Sequence, residues 1–253
     1  MSPTRIGMLV PSSNVTMETE LPQMLLARRA VIPDEVFTFH SARMRMTHVS
    51  PEQLASMNAQ TSRAAQEIAD AQPDAVVTAC LVAIMAQGPG YHCTAESEIV
   101  DAWPNRQAAP PVVSSAGALL AALEALGARS VAMVTPYVPS LTQLVGDYIE
   151  DAGYKVCDSV SLGVADNLEV ARLDPSDLPE HVKRLDLSGA DVLILSACVQ
   201  MPSFPAIETV ERLVDIPVVT AASATCFQML RALDRRSEIP GGGYLLSGAL
   251  DVS

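Results

Sequence analysis

Apolar residues along this chain gather into eight short runs, most of them apolar at successive positions and not at alternate ones. The runs are Ile6 to Val10, Val36 to Phe39, Ala75 to Ala79, Val112-Val113, Val131 to Thr135, Lys155 to Val160, Val192 to Leu195 and Val218-Val219. Strands covered by helices on both faces read this way. Between the runs, apolar positions recur at helical spacing. Pro51 to Ala71 carries Leu54, Met57, Ala64, Ala65 and Ile68, and Ser50 ahead of Pro51 offers an N-cap followed by proline in the first turn. Met17 to Leu26, Leu119 to Leu126 and Leu141 to Ile149 read as further helices. Strands alternating with helices predict an α/β fold with parallel sheets and right-handed crossovers.

The pattern also repeats. Ile6 to Pro11 resembles Val131 to Pro136, the run ending at Cys80 resembles the run ending at Cys198, and Pro111 to Ala116 resembles Pro217 to Ala222. Three pairs in the same order predict two Rossmann-like lobes related by a pseudo-two-fold axis. Ligands of open α/β sheets bind beyond the carboxyl ends of the strands. Pro11, Cys80, Pro136 and Cys198 are therefore expected at the rim of one cleft between the lobes.

Composition narrows the class. The chain has 253 residues, 49% of them apolar, enough for a full core and against disorder. The longest apolar stretch, Ala75 to Ala86, is too short to span a bilayer. No basic-then-apolar leader opens the chain, so the expected location is the cytoplasm, with no membrane partner. A net charge of −13 argues against nucleic acid and repels an anionic substrate at long range. Such a substrate would have to be held by local donors.

Five cysteines occur with no C-x-x-C pair, and the four histidines show no zinc spacing. Cys157 and Cys226 read as small buried residues and Cys93 as structural. Cys80 and Cys198 stand apart, because each ends an apolar run. Backbone N–H groups just past a strand end lower a thiol's pKa and stabilise developing negative charge. Around them, the Pro11-Ser12-Ser13-Asn14 loop is expected to present free N–H groups to an anion, or to be an ordinary strand-to-helix turn. Tyr137 either aims its hydroxyl into the cleft or packs on the surface. Asn167 is read in a loop after a strand, as an amide donor or a turn residue. His92 is the histidine expected nearest Cys80. Gly241-Gly242-Gly243 reads as a flexible turn. Nucleotide-binding glycine loops, H-E-x-x-H and G-x-S-x-G are absent.

Several stretches together resemble the maleate cis-trans isomerases of the aspartate/glutamate racemase superfamily. They are Pro11 to Asn14 with Met17 to Glu20, Phe39 to Met46, Ala79 to Met85, Gly88 to His92, Thr135 to Tyr137, Asp166-Asn167 and Ser196 to Ser203. The resemblance implies Cys80 as nucleophile and Cys198 as acid/base partner. It implies Asn14, Tyr137 and Asn167 as ligands of the substrate carboxylates, assisted by main-chain N–H groups at Leu81, Val82, Val199 and Gln200. It implies that residues after the last strand return to the first lobe. The division is then 1–115 with 221–253 as lobe A (Asn14, Cys80), and 116–220 as lobe B (Tyr137, Asn167, Cys198). It also implies maleate as substrate, no metal or redox cofactor, a homodimer, and a place in aromatic or nicotinate breakdown. Amino-acid racemases follow their cysteines with polar residues, whereas Leu81-Val82 and Val199-Gln200 stand here. Two other readings stay open: a two-cysteine racemase or epimerase of a small carboxylate, and a non-catalytic carboxylate-binding protein.

Overall fold

All eight apolar runs become strands in the computed structural model, which describes residues 2–251. β1 (Thr4–Pro11), β2 (Phe37–Met44), β3 (Ala75–Thr78) and β4 (Val112–Ser114) form one sheet. β5 (Ser130–Thr135), β6 (Lys155–Ser161), β7 (Val192–Ser196) and β8 (Val218–Thr220) form the other. The spatial orders are β2-β1-β3-β4 and β6-β5-β7-β8, and every pairing is parallel. The two sheets thus share one topology, as the repeated segments predicted.

The repeat extends to hydrogen bonds. Ahead of the third strand of each sheet an aspartate accepts from the backbone that opens the first: Asp74 from Arg5 N–H at 2.7 Å, and Asp191 from Arg129 N–H at 2.8 Å. At the other end Ala79 N–H bonds Leu9 C=O, and Ala197 N–H bonds Val134 C=O, at 2.9 and 3.1 Å. These matched bonds deliver the residue after each alanine, Cys80 and Cys198, to the carboxyl edge of its sheet.

Helices cover both sheets. In the first half these are α1 (Met17–Ala27), α2 (Pro51–Asn58), α3 (Thr61–Ala69), α4 (Leu81–Met85), α5 (Tyr91–Asp101) and α6 (Ser115–Ala125). In the second they are α7 (Pro139–Asp151), α8 (Asn167–Val170), α9 (Leu178–Val182), α10 (Ile207–Val214) and α11 (Ala221–Ala232). Helix α11 packs on α6 and also reaches β3, β4 and α1, so the chain after β8 lies against the first sheet. Arg28, fully buried on leaving α1, secures this return. Its guanidinium pairs with Glu35 at 2.6 Å and donates to Glu238 C=O at 2.8 Å, while Arg235 pairs with Glu35 at 3.0 Å.

Two expectations change here, and one helix was not foreseen. The helix expected over Pro51 to Ala71 is two helices, broken at Ala59-Gln60. The Gln60 side chain leaves the helix path to accept from Arg45 N–H at 3.0 Å. The break lets α2 pack on α4 while α3 packs on β1, β2 and α5, and Leu54, Met57, Ala64, Ala65 and Ile68 are all buried. The apolar run after Cys80 turns into the fully buried helix α4. Gly241 to Gly243 is a packed turn: a Cβ on Gly242 would sit 2.5 Å from Leu246, and Gly243 holds a φ of +66°. No helix among the described residues is long and apolar enough to cross a membrane.

Candidate active site

The carboxyl ends of the two sheets meet around one small, partly open cavity of about 20 Å³. Asn14, Cys80, Leu81, Val82, Tyr137, Asn167, Cys198, Val199 and Gln200 all line it, joined by Pro11, Met46 and Val49. Tyr137 takes the cleft position and not the surface one; it is 4% exposed.

Cys80 follows β3 and sits in the left-handed region, at φ +77° and ψ +65°, as it starts α4. A non-glycine residue there carries about 1–2 kcal/mol of backbone strain. Strain of this kind concentrates at functional positions, where the surrounding structure holds it. Cys198 is not among the residues with positive φ. The two thiols therefore occupy matched topological positions with different backbones.

Their surroundings differ too. Both are buried, and burial pushes both thiols up, because a thiolate loses its hydration; Cys80 reaches about 12. Ala83 N–H is the donor that offsets this at Cys80. Cys198 has three: the Tyr137 hydroxyl, Gln200 N–H (3.4 Å from Sγ) and Met201 N–H. Cys198 thus has more hydrogen-bond donors on its sulfur than Cys80, while the nearby Glu20 charge works against them and raises it. Burial and the neighbouring sulfurs keep the Tyr137 hydroxyl protonated, hence a donor.

Asn14 is buried in the loop between β1 and α1. Its Oδ1 accepts from Met17 N–H at 3.0 Å, which leaves its NH₂ group for a ligand. The free backbone N–H groups expected of this loop are largely taken: Val15 and Thr16 N–H donate to Gln200 Oε1 at 2.9 and 3.3 Å, and Asn14 N–H to Pro11 C=O. Asn167 is the first residue of α8, not a loop residue. Asp166 caps that helix by accepting from Leu168 and Glu169 N–H, and the Asn167 amide donates to Ser13 Oγ at 2.8 Å. The amides of Leu81, Val82 and Val199 have no acceptor among the described residues.

Met46 and Val49 close the cavity from the segment after β2. Ser12 exchanges hydrogen bonds with the Met46 backbone, and a His48–Asp166 bridge fastens the segment to the second sheet's side. Met46 belongs to a stretch named above, yet no periodicity marked it or Val49 as cavity residues. Below Cys198 lies the buried Glu20 carboxylate of α1, also unforeseen. It accepts from Ser203 N–H at 2.5 Å and Phe204 N–H at 2.6 Å. His92 does not approach the thiols; its Nδ1 pairs with the Tyr148 hydroxyl at 2.6 Å. Cys93, expected as structural, is exposed on α5 because that face of the helix is turned to solvent; Cys226 is buried as expected, and Cys157 is half-buried.

A buried site with two unequal thiols and neutral donors fits addition to, or proton transfer at, a small carboxylate. Residues 6–246 match the family model for arylmalonate decarboxylase. The chain is also 51% identical to the maleate isomerase of Geobacillus stearothermophilus, over 96% of its own length and 97% of the relative's. The chain belongs to the maleate isomerase family. Within that family, the Pseudomonas putida S16 isomerase, solved with maleate as a cysteine-to-alanine variant, superposes with a TM-score of 0.95. It is 48% identical and covers 99% of this chain and 100% of its own. A Nocardia farcinica cysteine-to-serine mutant, solved with a covalently bound succinylcysteine intermediate, superposes at 0.93 with 47% identity, covering 97% and 99%.

Proposed function

We propose that this protein is a maleate cis-trans isomerase that works by covalent addition of Cys80 to the substrate double bond. The observation that carries the reading is one cavity lined together by Cys80, Cys198, Tyr137, Asn14 and Asn167. Family membership and the succinylcysteine of the Nocardia relative support it.

The reactive state in this mechanism is the one in which the pair of thiols has lost one proton to solvent, a minor state because burial raises both. Cys198, with three donors on its sulfur, takes the Cys80 proton as the Cys80 sulfur bonds to one olefinic carbon. The π pair moves to the other carbon and its carboxylate as an enediolate. The Asn14 and Asn167 amides and the N–H groups of Leu81, Val82 and Val199 hold the carboxylates and the developing charge. Cys198 then passes the proton to the carbanionic carbon, leaving a succinyl thioether on Cys80. The carbon–carbon bond is now single and rotates. Cys198 removes a proton from the same carbon, the electron pair re-forms the double bond in the trans geometry, and the Cys80 thiolate leaves. Returning the proton to Cys80 restores the site, so atoms and charge balance over the cycle. Neutral donors suit a dianion that must turn, since a bidentate guanidinium would resist rotation.

We also assign residues 1–115 with 221–253 to one lobe and 116–220 to the other. Five free thiols fit a reducing cytoplasm. The proposed assembly is a homodimer, which light scattering tests. For the reaction itself, the purified protein is mixed with maleate and fumarate is followed by NMR. Turnover is expected in the wild type and absent in Cys80→Ala. Cys198→Ser is expected to slow both formation and breakdown of the adduct, and after long incubation with maleate the Cys80 peptide is examined for the added mass, as in the Nocardia relative. A Cys80→Ala variant with wild-type turnover refutes the nucleophile assignment.

A further inference from the structure

We infer that Gln200 is the positioning residue of this active site: its side chain crosses the cleft and sets Asn14 and Asn167 relative to one another, while its backbone N–H holds Cys198. The inference deepens the isomerase reading above and rests on it.

Gln200 is 2% exposed, and every polar valence of its side chain is used. Nε2 donates to Ser13 C=O and to Asn167 C=O, both at 2.9 Å. Oε1 accepts from Val15 N–H and Thr16 N–H. A primary amide offers two donors and an acceptor with two lone pairs, so nothing remains for a substrate. The backbone is engaged as well: Gln200 N–H lies on Cys198 Sγ, and Gln200 C=O accepts from Thr16 Oγ1 at 2.7 Å.

These partners are the neighbours of the groups that handle substrate. Asn14 lies between Ser13 and Val15, both held by this one amide. Asn167 is held by its own C=O and, through its side chain, by Ser13 Oγ. Cys198 is held by the Gln200 N–H. One side chain therefore ties the loop after β1, the start of α8 and the loop after β7. No other side chain type meets this set. Glutamate would set an oxygen against two carbonyls, and alanine would leave two donors and two acceptors unpaired in a buried space. Glu20 clasps the same loop further on, at Ser203 and Phe204; it hydrogen-bonds none of the three groups, and its charge raises Cys198.

The test measures kcat and KM for maleate from pH 5.5 to 8.5 in wild type, Gln200→Ala and Gln200→Glu. For Gln200→Ala, kcat/KM is expected to fall by about 100-fold, the size of effect that a displacement of about 1 Å produces. Gln200→Glu is expected to show a similar deficit at pH 8.5, where the carboxylate faces the Ser13 and Asn167 carbonyls. Burial raises such a carboxyl's pKa, and protonation restores one donor. Its deficit against wild type is therefore expected to shrink by about tenfold at pH 5.5. A residue that merely fills space gives no such recovery.

Iodoacetamide labelling of Cys198, mapped by peptide mass, reads the same inference without turnover. Gln200→Ala is expected to shift its pH midpoint upward as the N–H moves off the sulfur. Wild-type kcat and KM in Gln200→Ala, a pH-independent deficit in Gln200→Glu, an unmoved labelling midpoint, or failure of both variants to fold at every pH would each overturn the inference. A wild-type chain that leaves maleate unchanged overturns the isomerase reading instead, and the labelling result then decides the positioning role alone.

Discussion

Glu20 is a carboxylate placed by α1 where water does not reach it, and removing it has a calculable cost. Its Oε1 is the acceptor for Ser203 N–H and Phe204 N–H, both buried. Glu20→Ala leaves those two donors without an acceptor, at about 1–3 kcal/mol each. The emptied volume adds to the loss, and relief of the buried charge subtracts from it. The expected net destabilisation is about 3 kcal/mol, a large share of the roughly 5–15 kcal/mol that holds a typical domain folded. Glu20→Gln keeps an oxygen at the Oε1 position and is expected to stay within about 1 kcal/mol of wild type. The two variants also separate by pH. Burial, outweighing the hydrogen bonds it receives, holds the Glu20 carboxyl above its ordinary value of 4.5. A carboxyl raised on folding favours the folded state while protonated. That contribution is complete below the unfolded value and is lost as pH rises through the folded one. Wild-type stability relative to Glu20→Gln should therefore decline as pH rises from the acid end. Urea unfolding followed by circular dichroism, at several pH values, measures both effects. A Glu20→Ala variant within about 1 kcal/mol of wild type would refute the account of the two donors, and a pH-independent difference for Glu20→Gln would refute the burial argument.

Two further outcomes follow from the thiols' surroundings. Tyr137→Phe removes the hydroxyl donor to Cys198, and kcat for maleate is expected to fall by about 10²–10³ with KM changed far less; a kcat within threefold of wild type would dismiss the hydroxyl's role. Cys80→Gly and Cys80→Ala both abolish turnover, but their stabilities should invert the usual order. In ordinary secondary structure glycine costs about 0.5–1 kcal/mol relative to alanine. At φ +77° the strain falls on alanine, so the glycine variant should melt at or above the alanine variant. A clearly lower melting temperature for Cys80→Gly would refute the strain.

The amino-acid sequence by itself determined the eight strands, the repeat that makes two sheets of one topology, and the two cysteines that end matched strands. Burial on both faces leaves a continuous apolar run, and that signal is local. The residues named for the site were also legible, because each stands within a few positions of a strand's carboxyl end. What tertiary structure decided is everything that depends on partners far along the chain. Gln200 meets its acceptors and donors across 184 positions or more for the β1–α1 loop, and no spacing rule reports that. The loop at Pro11 to Asn14 read either as a site for an anion or as an ordinary turn, and Gln200, by occupying the N–H groups of Val15 and Thr16, favours the turn. The break at Gln60 came from a bond to Arg45 beyond its own helix. Cys80 and Cys198 read as equals in one dimension. The unequal backbone at Cys80, and three donors on Cys198 against one on Cys80, exist only once the two sheets have closed over a shared cavity.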